Sequence, residues 1–300
     1  MSDRPIPESL ITIMESYPRL GEIIRFGYEL TDELNRIKPD LDLTGMELSQ
    51  EQATLKLKQG FPLVNKAEVM IPADQFKGTF RRIAHFVADR RTLLRPTILK
   101  ISERLEDEGT DVHSLVRVHL NQMHKQDREH ELRRLWKNPD EYPMLDFLLG
   151  AGLKPYGHAY GNALNSYLPS DGDLWLESFC PLCGTTPLLS YIEGEEGRRH
   201  LLCSWCDTTW EYSRLKCPYC QTTDQKDLTY FFLEDDEGKK ERDRISVCKR
   251  CKRYIKTLDL RKREGKQECT LHIDDLATLH LDLLAEREGY ERMTRHILFF

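Results

Sequence analysis

Eight cysteines arranged as four C-x-x-C pairs, Cys180/Cys183, Cys203/Cys206, Cys217/Cys220 and Cys248/Cys251, are the residues of this chain whose type and spacing point to chemistry. Two intervening residues let both sulfurs of a pair leave one tight turn in the same direction, and two such turns complete a four-thiolate shell around a metal ion. Four turns predict two metal ions. Residues 184–202 separate the first two pairs and 221–247 the last two, enough in each case for a β-hairpin that returns its ends to one place, whereas only residues 207–216 join the halves. Consecutive pairing is therefore favoured. A cross-braced arrangement, first pair with third and second with fourth, also closes loops of moderate length and stays open.

The competing reading of a cysteine cluster is a disulfide framework. The opening MSDRPIPESL is polar with two prolines, and no apolar run approaches membrane-spanning length. The expectation is thus no membrane insertion and a cytoplasmic protein, in which thiols stay reduced and C-x-x-C reads as metal or redox chemistry. A thioredoxin-like site needs one such motif on a βαβ frame, not four among turn-rich segments. Tetrahedral four-sulfur sites suit zinc and iron equally. Cys180-Pro-Leu-Cys183-Gly184 and Cys217-Pro-Tyr-Cys220 look like rubredoxin or zinc-ribbon knuckles, turns that aim backbone N–H groups at sulfur. Cys269 has no partner at ligand spacing and reads as a packing residue.

These sites need elements to hold them. Leu188–Ile192 and Arg199–Leu202 around the polar tip Glu193–Gly197 read as a hairpin between the first two knuckles; Thr229–Leu233 and Arg244–Val247 around the acidic tip Glu234–Gly238 repeat it between the last two. Upstream the chain reads as helices. Phe76, Phe80, Ile83, Ala84, Val87 and Leu94 recur at helical spacing until Pro96 interrupts them, Asp111 is a good N-cap for a helix through Val112, Leu115, Val116 and Leu120, and Met144, Leu145, Leu148 and Leu149 face inward on a third that continues past Pro155 towards Leu168. His113, His119, His124 and His130 lack the common face and acidic partners of a metal site. Pro169–Asp173 is the natural linker, and Ile273–Leu284 reads as a closing amphipathic helix. The expected fold is multidomain α+β: an α-helical domain over 1–168, two rubredoxin-like or zinc-ribbon modules over 174–212 and 213–265, and a C-terminal helix and tail over 266–300.

Net charge −6 gives no global attraction to nucleic acid. Locally, residues 239–266 hold thirteen Lys/Arg against four Asp/Glu, so the fourth knuckle, with Lys249, Arg250, Lys252 and Arg253, is expected to carry either a solvated basic surface or a docking face.

From Phe179 to Tyr290 the chain resembles the formate dehydrogenase accessory protein FdhE family. The resemblance lies in the order of the four knuckles, in Trp210 and Arg214, in Tyr254-Ile-Lys-Thr257, in Asp274-Asp-Leu-Ala-Thr-Leu279 with Asp282, and in Glu288-Gly-Tyr290. The first half is similar through its helical character and Gly60-Phe-Pro-Leu63, and Gln221 stands where a glycine is common. The resemblance implies a non-enzymatic, chaperone-like cytoplasmic maturation factor that contacts the catalytic subunit of formate dehydrogenase before export. It implies two iron ions per chain, with zinc an alternative in one or both sites: Cys180, Cys183, Cys203 and Cys206 at the first, Cys217, Cys220, Cys248 and Cys251 at the second. A monomer or weak homodimer is expected. A zinc-ribbon nucleic-acid binder, favoured by the basic stretch with Trp205, Tyr219 and Tyr254, and an iron electron-transfer protein are the alternatives. No phosphate-binding loop, nucleophile elbow or H-E-x-x-H motif supports substrate chemistry.

Overall fold

The computed structural model describes residues 6–294 apart from 17, 42, 44–45, 47, 67–68, 122–124, 169–174, 233–242 and 263–270. The expected linker Pro169–Asp173, the acidic hairpin tip, His124 and Cys269 lie outside the described residues.

Helices α1 (Glu8–Ser16), α2 (Gly21–Arg36), α3 (Gln50–Lys58), α4 (Ala73–Arg90), α5 (Arg95–Glu106), α6 (Val112–Leu120), α7 (Lys125–Leu135) and α8 (Tyr142–Leu164) form the first half. The α4 stripe of Phe76, Phe80, Ile83, Ala84 and Val87 is buried against α5 and α8. Pro96 falls in the first turn of α5, where its missing N–H costs nothing, so it starts a helix as much as it ends one. Asp111 caps α6 by accepting from the Ser114 N–H at 3.0 Å. Helix α8 runs through Pro155 without a break, and Gly152 lets it close on α4: a Cβ there would lie 3.2 Å from the Phe76 ring.

The second half is one mixed sheet. Its strands are β1 (Pro187–Glu193), β2 (Arg198–Cys203), β3 (Thr209–Glu211), β4 (Leu228–Phe231), β5 (Arg244–Cys248), β6 (Arg253–Asp259) and β7 (Glu291–Arg292). The order is β3-β2-β1-β6-β5-β4, with β7 beside the start of β6. The two expected hairpins, β1/β2 and β4/β5, are antiparallel; they join where β1 pairs in parallel with β6, Ser190 opposite Thr257. Each half of the sheet thus repeats the layout knuckle, strand, strand, knuckle, strand.

Helices α9 (Leu271–Ala277) and α10 (Leu279–Arg287) close the chain, α9 against α2 and α10 against β5, β6 and β7. The sequence predicts one helix here, and the break at Thr278 has a local cause. The Thr278 hydroxyl donates to the Asp274 carbonyl at 2.8 Å, and the Lys256 ammonium reaches the Asp275 carbonyl, a group the continued helix would use itself. Lys256, read from sequence as part of a basic surface, is 0% exposed. Its ammonium lies 2.8 Å from Asp275 and 2.6 Å from Asp282, Arg292 donates to the same two carboxylates at 2.7 and 3.2 Å, and the Tyr254 hydroxyl donates to Asp282 at 2.8 Å. Two cations meeting two anions pin α9 and α10 to the sheet, which an unpaired buried charge could not do.

Candidate metal centres

Each knuckle is built the same way. The residue after its second cysteine, Gly184, Asp207, Gln221 or Lys252, adopts a left-handed backbone with φ of 70°, 59°, 58° and 57°. This conformation folds the turn back so that Gly184, Gln221 and Lys252 donate N–H bonds to the carbonyls of Cys180, Cys217 and Cys248 at 2.8, 3.1 and 2.9 Å. Gln221 makes the turn without glycine, at a strain of roughly 1 kcal/mol. The knuckles also turn N–H groups onto sulfur: Trp205 and Cys206 donate to Cys203 Sγ at 3.4 and 3.5 Å, and Tyr219 donates to Cys217 Sγ at 3.4 Å.

The hairpins bring the knuckles together consecutively, not cross-braced. Cys180, Cys183, Cys203 and Cys206 form one group and Cys217, Cys220, Cys248 and Cys251 the other, with all sulfurs of a group within 4.8 Å of one another. Neighbouring sulfurs stand 3.5–3.6 Å apart in the first group and 3.7–3.8 Å in the second. A disulfide needs about 2.05 Å. Four sulfurs at about 2.3 Å from a central ion lie roughly 3.8 Å apart at tetrahedral angles, so both groups fit a tetrahedral ion. Thiol chemistry agrees. Burial pushes Cys180 and Cys206 up; burial acts the same way on Cys183, but its hydrogen bonds with Cys180, Cys203, Cys206 and Thr185 hold it well below the usual thiol range. In the second group burial raises Cys217 to about 11, while Cys220 is lowered: burial opposes its ionisation, but the Thr222 N–H and the other three sulfurs outweigh it. Thiols this close and this dry cannot all ionise without a cation between them, and such donor sets can hold metal ions.

The two centres differ in their surroundings. All four sulfur residues of the first are buried, from 0 to 4% exposed, whereas Cys220 and Cys251 of the second are partly exposed. The first centre is enclosed by α8. Cβ atoms placed on Gly157 and Gly161 would lie 2.3 Å from the Trp205 carbonyl oxygen and 2.6 Å from that of Cys206, so only glycines let the helix lie directly on this knuckle. The Trp205 indole donates to the Leu153 carbonyl at 3.0 Å, and Lys154 donates to the Ser204 carbonyl at 3.0 Å. Asp207 then gathers Lys154 at 2.6 Å, His272 at 2.7 Å and His158. Burial works against its carboxylate, but His272 and Lys154 hold it well below the usual range. On another side, Leu63 and Val64 donate N–H bonds to the carbonyls of Pro181 and Leu182 at 2.9 and 2.8 Å.

Sequence reasoning brought forward all eight cysteines but missed Lys154, His158, Asp207 and His272, which belong to no motif. The Gly157-x-x-x-Gly161 spacing on a helix was the available sign of a close approach. His119 lies 3.2 Å from Asp146, and His113 lines a cavity beside α6. Around the fourth knuckle Lys249, Arg250 and Lys252 are exposed, and Arg253 pairs with Glu291 at 2.8 Å.

Comparison with known proteins agrees with this architecture. A family model described as the FdhE central domain matches residues 179–214, and one described as the FdhE C-terminal domain matches 215–299. A protein FdhE homolog of Aquifex aeolicus is 26% identical over 289 residues, covering 95% of this chain and 91% of that protein. A homolog from Stutzerimonas stutzeri is 34% identical over 125 residues, 41% of this chain and 38% of that one. The crystal structure of the FdhE protein from Pseudomonas aeruginosa matches with a TM-score of 0.66 at 21% identity, covering 97% of this chain and 93% of that one, and shares the fold.

Proposed function

Since the chain belongs to the FdhE family, we propose that it is a cytoplasmic, non-catalytic maturation factor that binds the catalytic subunit of formate dehydrogenase before export and holds one metal ion in each four-cysteine centre. The observation that carries this reading is the pair of four-thiol groups on one sheet, clamped to a helical body by α8. Such a frame suits a binding surface: metal coordination supplies folding free energy of roughly 10 kcal/mol or more per structural zinc to hairpins too small to bury a core. Iron is the ion implied by the family resemblance, and the donor set accommodates zinc as well. Residues up to 168 would act as the helical domain, and 174–212 and 213–265 as the two metal modules.

The test is capture of the tagged protein from cells that make formate dehydrogenase, with metal content measured on the same sample. The expected result is two metal ions per chain and specific recovery of the catalytic subunit, lost when Cys203 and Cys206 are both replaced by serine. Wild-type protein that holds two metals and recovers no catalytic subunit would refute the client while leaving the centres standing. Steeply salt-dependent recovery of nucleic acid instead would favour the zinc-ribbon reading of the basic stretch.

A further inference from the structure

We infer that Arg199 is a positioning residue that couples the two metal centres: it ties the run into the third knuckle to the first module, so that the second centre binds a divalent ion most tightly when the first is closed. The inference rests on the reading of both cysteine groups as metal sites.

The two knuckles of the second centre are held differently. Cys248 and Cys251 flank the turn between β5 and β6, and the antiparallel pairing of those strands fixes that turn. Cys217 and Cys220 lie between β3, which ends at Glu211, and β4, which begins at Leu228, in a stretch without a strand. Burial does not anchor the run just ahead of them either, because Ser213, Arg214 and Leu215 are exposed.

Arg199 supplies the anchor. It stands on β2, the strand that ends in Cys203 of the first centre, and is 6% exposed. Its guanidinium donates to three main-chain carbonyls of the run: that of Tyr212 at 3.4 Å, that of Ser213, and at 2.8 Å that of Lys216, the residue directly before Cys217. The Tyr212 N–H donates back to the Arg199 carbonyl at 2.9 Å, and the Tyr212 hydroxyl donates to the Cys217 carbonyl at 3.2 Å. Two further ties lead to the same module. Arg214 donates to the Gly197 carbonyl at the tip of the β1/β2 hairpin at 3.1 Å, and Lys216 donates to the Leu176 carbonyl, ahead of the first knuckle, at 3.3 Å. From the second module Gln225 donates to the Leu215 carbonyl at 3.3 Å. Among the described residues no carboxylate pairs with Arg199, so its rigid fork of donors is taken up by these carbonyls.

Closing the first centre fixes the end of β2, and through Arg199 it fixes the third knuckle before an ion reaches it. The second centre then has less freedom to lose on binding, and such pre-organisation raises affinity. Coupling between two binding sites is reciprocal and typically about 5- to 150-fold.

The experiment titrates cadmium into four full-length apoproteins against a chromophoric chelator, with the two sites followed separately by cadmium NMR. The proteins are wild type, Arg199→Met, the first-centre variant Cys203→Ser with Cys206→Ser, and all three substitutions combined. The expected result is a second centre weakened about tenfold by Arg199→Met, about as much in the first-centre variant, and no further in the combination. A local packing role, or the loss of a nearby positive charge, would act in both backgrounds, and the two losses would then add. Additive losses, or an unchanged second centre in Arg199→Met, overturn the inference. Where circular dichroism shows the first-centre variant unfolded, Arg199→Met decides alone: a loss confined to the second centre supports the coupling, and equal loss at both centres overturns it. A wild-type protein that binds no cadmium overturns the metal reading beneath the inference and is told apart by that control.

Discussion

Alanine at Gly157 or Gly161 sets two effects of opposite sign against each other. In an exposed helix interior Gly→Ala is favourable by up to about 1 kcal/mol, because alanine loses less backbone freedom. At Gly157 the new Cβ would lie 2.3 Å from the Trp205 carbonyl oxygen, and at Gly161 2.6 Å from that of Cys206. Ordinary van der Waals contact begins near 3.4 Å, so the knuckle or the helix must retreat by roughly 1 Å. Overpacking of this kind costs typically 1–3 kcal/mol and more when backbone must move. Here the obstacle is backbone tied to two thiolates, so the steric loss outweighs the gain, and each variant should lose about 1–2 kcal/mol net. Gly78 is the control. It lies on the exposed face of α4 with nothing within 4 Å of its Cβ position, and Gly78→Ala should stabilise by a few tenths to 1 kcal/mol. Urea unfolding of the metal-loaded proteins, with far-UV circular dichroism and metal release read together, gives both numbers. If Gly157→Ala and Gly161→Ala are as stable as Gly78→Ala, α8 does not lie on the first knuckle as described, and the argument fails.

Other consequences are as direct. A strong chelator should strip metal in two phases, the second centre first, because Cys220 and Cys251 are partly exposed and the first set is sealed; a single phase would contradict this. Lys256→Met removes one of the two cations that the described residues set against Asp275 and Asp282 and should cost roughly 3–5 kcal/mol in denaturant unfolding, the usual loss on breaking a buried ion pair. Asp207→Asn should destabilise the protein at neutral pH. The folded-state pKa of Asp207 is depressed, so its contribution is present above the ordinary carboxylate range and fades as pH falls through and below it; the gap between variant and wild type in stability should narrow in acid. Reversing the charges of Lys249, Arg250 and Lys252 should slow association with the proposed client, the catalytic subunit of formate dehydrogenase, mainly at low salt, and undiminished binding by the folded variant would exclude that face.

What could be read from sequence is what local chemistry decides. Cysteine spacing, the strand-tip-strand layout between knuckles, the α4 stripe and the Asp111 cap each depend on residues a few positions apart. Partners far apart in sequence were invisible. Lys256 looked like one more charge in a basic run because its counter-ions, Asp275 and Asp282, lie 19 and 26 residues further on, on α9 and α10. The same ammonium draws off the Asp275 carbonyl and breaks a helix whose apolar pattern promised continuity. Pairing of β1 with β6 was equally hidden, since the hydrophobic alternation of a strand says nothing about which neighbour it takes. Asp207 took the left-handed turn position that glycine fills after Cys183, and only the fold places two helices over its carboxylate.

The β1–β6 pairing also fixes an order of assembly. During synthesis both knuckles of the first centre leave the ribosome before any of β6 exists, so that centre can close while β1 still has a bare edge. Unpaired strand edges are templates for another chain. Only when residues 253–259 arrive is the edge of β1 covered, and only when Arg292 arrives does the buried charge cluster become neutral. A nascent chain stopped between these points carries a finished metal centre on an unfinished sheet, and a strand made late protects one of the first.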